Sequence, residues 1–185
     1  MSKKTIIFVC GLSTPSWALK KWKFNLAKTF KEYEIHFVGD CQYGFEDIKT
    51  MKKLIVEIST LIKQSHSCIL IGHSMGGILI GSLYQKVLLL DTIEKIITIN
   101  SPHSMIIKNP KTFSINDVKK QLHYNPSFDM FQKVLTVGSY FDTTVPKKYA
   151  HTKYSRKINL LMGHYLLFYI STFHIRKIIN NIKIF

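Results

Sequence analysis

Short runs of β-branched and aromatic residues alternate along this chain with longer stretches whose apolar residues recur every three or four positions. Residues 5–10 (TIIFVC) read as a strand, and residues 16–30, carrying Trp17, Leu19, Trp22, Leu26 and Phe30, read as a helix. Residues 34–38 (EIHFV) predict a second strand. Residues 46–64 place Ile48, Met51, Leu54, Ile55, Ile58, Leu61 and Ile62 on one face of an amphipathic helix. A third strand at 67–71 leads into an apolar stretch, 75–90, long enough for a helix. The alternation continues with strands at 95–100, 132–138 and 157–162 and a closing helix from about 164 to 181. Residues 101–130, with their prolines, asparagines and weak periodicity, interrupt it.

Strands alternating with helices predict an α/β fold: a mostly parallel sheet of about six strands with helices on both faces. At 185 residues and 46% hydrophobic, the chain suffices for one sizeable core, so residues 1–185 read as a single domain. The 101–130 segment is expected to be a reduced cap or insertion within it.

Charge changes the picture less than its size suggests. Lysine and arginine total 26 against 11 acidic residues, a net +15. Such a field favours acidic partners, and nucleic acid, an anionic membrane surface and an acidic carrier protein all satisfy it. Only Arg156 and Arg176 are arginines. Bidentate reading of phosphates and base edges prefers arginine, and no recognition module is present, which argues against nucleic acid. The simplest account is a solvated lysine surface.

The three cysteines, Cys10, Cys41 and Cys68, are too widely spaced for a zinc knuckle and read as reduced and mostly buried. No run of about 20 apolar residues predicts a membrane span. The N-terminal MSKKTIIFVCGLSTPSW lacks a signal-peptide cleavage pattern, so a cytoplasmic location is expected.

The strongest chemical signal is Gly72-His73-Ser74-Met75-Gly76. It matches G-x-S-x-G, and it lies between a strand run ending at Ile71 and a helix run from Ile78, the setting this motif requires. A serine on so tight a strand-to-helix turn stands exposed above the sheet edge near the positive end of a helix, and side chains at Gly72 and Gly76 would crowd the turn. Ser74 is therefore the candidate nucleophile, with the Met75 N–H as an oxyanion donor. The segment lacks the G-K-[ST] ending of a phosphate loop.

On these residues the chain resembles the α/β-hydrolase superfamily, in particular its lipase and carboxylesterase branch. Ser101-Pro102-His103 resembles the Thr-Pro-His segment after the equivalent lipase strand. Cys10-Gly11-Leu12 matches the family's histidine-glycine loop, with cysteine in the histidine's place, and the resemblance implies the Leu12 N–H as second oxyanion donor. The family's usual N-terminal strands have no counterpart here.

Triad partners follow the serine in the order acid, then histidine. After Ser74 come Asp91, Glu94, Asp117, Asp129 and Asp142. Only Asp142 follows a strong strand by a short loop, and its Asp-Thr-Thr-Val-Pro context resembles the family's acid loop. Among eight histidines, His164 lies just after the last strand and before the final helix, where the base is expected, and Gly163-His164 resembles the family's glycine-histidine step. His73 adjoins Ser74 too closely to swing onto its oxygen.

These residues imply hydrolysis of an acyl ester through an acyl-enzyme, a reaction that needs no cofactor, and no close His/Cys/Asp cluster suggests a metal. Trp17, Leu12, His103, Met105, Ile106, Ile107 and Phe113 are candidate pocket residues. The pimeloyl-carrier methyl esterases of biotin synthesis, which act on an acyl group held by an acidic carrier, share this superfamily. A non-catalytic binding protein on the same fold is the alternative class.

Overall fold

The computed structural model describes residues 3–12, 14, 16–39, 47–83, 91–105, 115–124, 134–161, 163–164 and 172–184. Among them six strands form one sheet: β1 (Lys4–Val9), β2 (Tyr33–Val38), β3 (Ser67–His73), β4 (Ile93–Ile99), β5 (Val134–Ser139) and β6 (Arg156–Leu160). Their order is β2-β1-β3-β4-β5-β6, and every neighbouring pair is parallel. The expected six-stranded parallel sheet is the observed one.

Burial on both faces explains why the inner strands β1, β3, β4 and β5 read as continuous apolar runs. In β1, Ile7 and Val9 face one core while Ile6 and Phe8 face the other. The first core is closed by α2 (Ile48–Gln64) through Met51, Leu54 and Ile58, by α3 (Met75–Leu83) through Ile78 and Leu79, and by α4 (Ile115–Gln121) through Ile115 and Val118. The second is closed by Leu19, Trp22 and Leu26 of α1 (Ser16–Thr29) and by Ile175, Ile178, Ile179 and Ile182 of α5 (Thr172–Ile184). Asp47 caps α2, its carboxylate accepting from the Thr50 N–H at 3.0 Å, which sets the start of that helix at Ile48.

Two sequence expectations are described only in part. The 101–130 stretch contains α4, whose Ile115 and Val118, with Leu122 just beyond, are buried in the main core. These residues of the 101–130 segment pack onto the sheet as part of the main core. Their spacing, i, i+3 and i+7, is helical, but a seven-residue helix with lysines at two of its last three positions carries too few apolar residues to stand out. The expected helix at 75–90 is described only to Leu83, and α5 is described from Thr172, so the remainder of both expectations lies outside the described residues.

The strand order fixes where a site can form. β1 lies between β2 and β3, so the connections leaving the C-terminal ends of β1 and β3 diverge to opposite sides of the sheet. The crevice they leave is the topological switch point at which open α/β sheets bind ligands. Gly11 and Leu12 follow β1 there, and Ser74 follows β3.

Candidate active site

Ser74 is one of three described non-glycine residues with positive φ, at 52°. That strain is held from both sides. The Ser74 N–H donates to the Ile99 carbonyl of β4 at 2.8 Å, and the Ser74 carbonyl accepts from the Gly77 N–H at 3.1 Å. Glycines let α3 descend onto the strand ends. A Cβ on Gly72 would lie 2.6 Å from the Gly77 nitrogen, and one on Gly76 would run into the Val9 carbonyl of β1. The Met75 N–H belongs to the first turn of α3, where backbone donors have no intrahelical acceptor. It is therefore free of helix duty beside Ser74. Leu12, half-buried, packs against the core on the far side of the crevice.

Loops after β5 and β6 bring the other two residues. His164 Nε2 lies 3.1 Å from Ser74 Oγ, and His164 Nδ1 lies 2.6 Å from Asp142 Oδ2. Asp142 and His164 are buried, while Ser74 keeps partial access to solvent. The second carboxylate oxygen of Asp142 accepts from the Thr144 N–H at 2.9 Å and the Val145 N–H at 2.7 Å. An ionised Asp142 has no proton to share, so His164 must donate from Nδ1. Nε2 is then left bare to accept the Ser74 O–H. The arrangement can take a proton from the serine oxygen and stabilise the imidazolium that results.

His73 is fully buried, and its ring centroid lies 5.1 Å from that of His164. Burial, and secondarily the proximity of His164, hold its pKa well below the usual histidine range. It therefore stays neutral and places no second cation beside His164.

The strand ends carrying these residues are tied together. The Asn100 N–H, just past β4, donates to the Val137 carbonyl of β5 at 2.8 Å, and Ser139 Oγ donates to Asn100 Oδ1 at 3.0 Å. The Tyr140 N–H, just past β5, donates to Leu160 of β6 at 2.8 Å. With the Ser74–Ile99 bond, these contacts link the ends of β3, β4, β5 and β6 beneath Ser74, Asp142 and His164.

A sequence profile described as "PGAP1-like alpha/beta domain" matches residues 34–167, a span that runs from β2 through His164. This chain belongs to that family. The PGAP1-like domain also has the fold of solved α/β hydrolases. It is similar to a predicted CIB-like hydrolase from Thermoplasma acidophilum at 17% identity and a TM-score of 0.66, covering 100% of this chain and 88% of that one. Est1E from Butyrivibrio proteoclasticus is 13% identical with a TM-score of 0.66, covering 98% and 86%. A thioesterase domain from the curacin biosynthetic pathway is 10% identical with a TM-score of 0.65, covering 96% and 91%. At these identities the likeness is one of fold. No curated protein sequence matches the chain.

The PGAP1-like domain thus brings Ser74, Asp142, His164, Met75 and Leu12 to one edge of its sheet. The expected pocket residues fare differently. His103 is buried rather than lining a wall: its Nδ1 lies 2.8 Å from Tyr124 Oη and its Nε2 2.8 Å from Thr98 Oγ1. Burial, then Lys119 and His151, push its pKa down to about 3, so it is a neutral spacer fastening the post-β4 loop to α4. The Met105 carbonyl joins the same fastening by accepting from Lys119 Nζ at 3.2 Å. Ile106, Ile107 and Phe113, and the side chain of Trp17, lie outside the described residues. Cys10 and Cys68 are buried; Cys41 lies outside the described residues. None of the described helices is long and apolar enough to cross a membrane.

Sequence reading placed Gly11 in the loop after β1 without its contact, and missed Asn100. Gly11 is required because a Cβ there would lie 2.7 Å from Ser74 Cβ and 2.9 Å from the His73 carbonyl. Asn100, at φ 48°, turns the chain sharply after β4. Asparagine at a strand end is a usable signal, since it tolerates the left-handed region better than other side chains.

Proposed function

We propose that this protein is a serine hydrolase that cleaves a carboxylic ester through an acyl-enzyme. The observation that carries the reading is the unbroken hydrogen-bond path from Ser74 through His164 to Asp142, with contacts of 3.1 and 2.6 Å. Ser74 Oγ attacks the ester carbonyl carbon as its proton passes to His164 Nε2. The developing oxyanion is held by the N–H groups of Met75 and Leu12. The carbon–oxygen bond to the leaving alcohol then breaks, and His164 returns the proton to that alcohol. Water attacks the acyl-serine by the same route and releases the acid. Asp142 keeps His164 in the required tautomer throughout. The esterases and the thioesterase of the same fold support acyl transfer as the reaction class. An ester is the simplest substrate that these parts serve.

A fluorophosphonate probe with peptide mapping tests the reading. Ser74 is expected to be labelled, and Ser74→Ala to lose both labelling and turnover of short p-nitrophenyl esters while remaining folded. Labelling of another serine, or turnover that survives Ser74→Ala, would reject it.

A further inference from the structure

The edge of the sheet that carries the triad also carries the least expected apolar surface of the molecule. Tyr140 and Phe141 directly follow β5 and are 53% and 67% exposed; Leu161 directly follows β6 and is 69% exposed. Ser139 pairs with Leu160 in the β5–β6 register, and Tyr140 N–H donates to the Leu160 carbonyl, so these three residues stand side by side. Phe141 immediately precedes Asp142, and Leu161 lies three residues before His164. Among the described residues, the other large exposed apolar side chains, Phe24, Val56, Tyr154 and Ile184, are scattered over separate elements, as single exposed residues normally are.

Cations flank this rim. Lys147 Nζ lies 3.7 Å from the centroid of the Tyr140 ring, and Lys148, one residue on, is exposed. After Asp129, Asp142 is the only acidic residue in the sequence, and it is buried and hydrogen-bonded to His164. The rim therefore presents aromatic and aliphatic side chains among lysines, with no exposed carboxylate from its own segment.

We propose that this β5–β6 rim, formed by Tyr140, Phe141 and Leu161 with Lys147 and Lys148, docks on an anionic phospholipid bilayer. The pattern fits the headgroup boundary: apolar side chains enter the upper acyl region, tyrosine suits the interface, and lysines are drawn to anionic headgroups. A diffuse field of many headgroups suits compact lysine charges, whereas a fixed carboxylate or phosphate on a protein partner favours the arginine fork, and this rim has none. The net charge of +15 brings the protein to such a surface from any side, and the apolar rim orients it. In that orientation Ser74 faces the lipid, and the ester it receives is one presented by the membrane. This last step rests on the serine-hydrolase reading; the docking does not.

Vesicle sedimentation tests it. The full chain is mixed with phosphatidylcholine vesicles, with and without phosphatidylserine, alongside Phe141→Ser/Leu161→Ser, Lys147→Gln/Lys148→Gln and Ser74→Ala. Wild type and Ser74→Ala are expected to bind the phosphatidylserine vesicles equally, so loss of catalysis leaves this result untouched. The apolar double variant should lose about tenfold in partitioning, and the lysine variant about fivefold for each charge removed. Both should still turn over a soluble short ester without vesicles, showing that they fold. Wild-type binding that the apolar variant retains would mean adsorption by charge alone and would overturn the proposal. So would absence of vesicle binding together with salt-sensitive binding to an acidic acyl-carrier protein, which would give the rim to a protein partner.

Discussion

Replacing Asp142 by asparagine sets two requirements of one side chain against each other. In the native site, Oδ1 accepts from the N–H groups of Thr144 and Val145, and Oδ2 accepts from His164 Nδ1. Asparagine has one acceptor oxygen and one donor nitrogen. If its oxygen stays on the two N–H groups, its NH₂ faces His164, and the imidazole must move its proton to Nε2. That nitrogen can then no longer take the proton of Ser74. If the amide flips, the correct tautomer returns, but both N–H groups face a donor. The bond to Val145 is buried and the one to Thr144 partly so, and each orphaned donor costs about 1–3 kcal/mol, less where water reaches. The competent state is then disfavoured by roughly 2–5 kcal/mol, which lowers kcat by about 10²–10⁴-fold. Steady-state hydrolysis of a p-nitrophenyl ester gives the rate. The imidazole N–H resonances give the tautomer, which should switch from Nδ1–H to Nε2–H, and thermal unfolding should show a retained fold. A variant that keeps more than about a tenth of wild-type kcat, or that loses activity with the Nδ1–H tautomer intact, would refute the reasoning.

Two further outcomes follow from buried positions near the site. Gly11→Ala places a methyl 2.7 Å from Ser74 Cβ, so the nucleophile has to shift. A displacement of that kind costs on the order of 10²-fold in fluorophosphonate labelling rate, and unchanged labelling would mean that the crevice between β1 and β3 is looser than described. His103 is held neutral, its pKa pushed from 6.5 down to about 3. Below pH 6.5 the unfolded chain therefore binds a proton that the native state refuses. Its contribution to stability is intact above 6.5 and falls with decreasing pH by up to about 1.4 kcal/mol per unit until about 3. Urea unfolding of His103→Gln should show a shallower loss from about pH 6.5 to 5 than wild type. His73, also held neutral by burial, should supply much of what remains. Identical slopes would show that His103 is not the group responsible.

How far the sequence discloses such a molecule depends on the range of the interaction that places each residue. The parallel sheet is legible because the inner strands are buried on both faces, which writes an unbroken apolar run such as Ile6 to Val9 into the chain. α2 is legible because Met51, Leu54, Ile55, Ile58 and Ile62 are all buried on one stripe. Ser74 is legible because the turn that strains it is local, and glycines at 72 and 76 are needed within a few residues of it. Asp142 and His164 are legible as successive strand-end residues in the right order. His103 misleads because its two partners, Thr98 and Tyr124, come from different elements. A histidine in a loop looks available until the fold brings Tyr124 against it. Gly11 escapes notice as a contact for the same reason, since the atom that forbids its side chain belongs to Ser74, in the turn after β3.

The same distinction separates the chemistry from its support. The triad residues follow β3, β5 and β6, and no two of them are adjacent in sequence. What fixes their separation is the ends of the strands, and β4, which carries none of the three, lies within that span. Its Ile99 carbonyl accepts the Ser74 N–H, and the next residue, Asn100, reaches β5 through both its backbone N–H and its side-chain oxygen. A left-handed residue is needed there, because an extended one would carry the chain straight on past Val137. The strain at Ser74, φ 52°, and at Asn100, φ 48°, thus falls on two residues joined through one carbonyl bond. Backbone strain persists only where the surroundings over-determine it, and here both strained residues are tied to neighbouring strands. Ser74 is held by the strand beside β3, and the loop that carries Asp142 is referenced to that same strand. The geometry of the proton path is therefore set by the sheet rather than by the loops that carry its members.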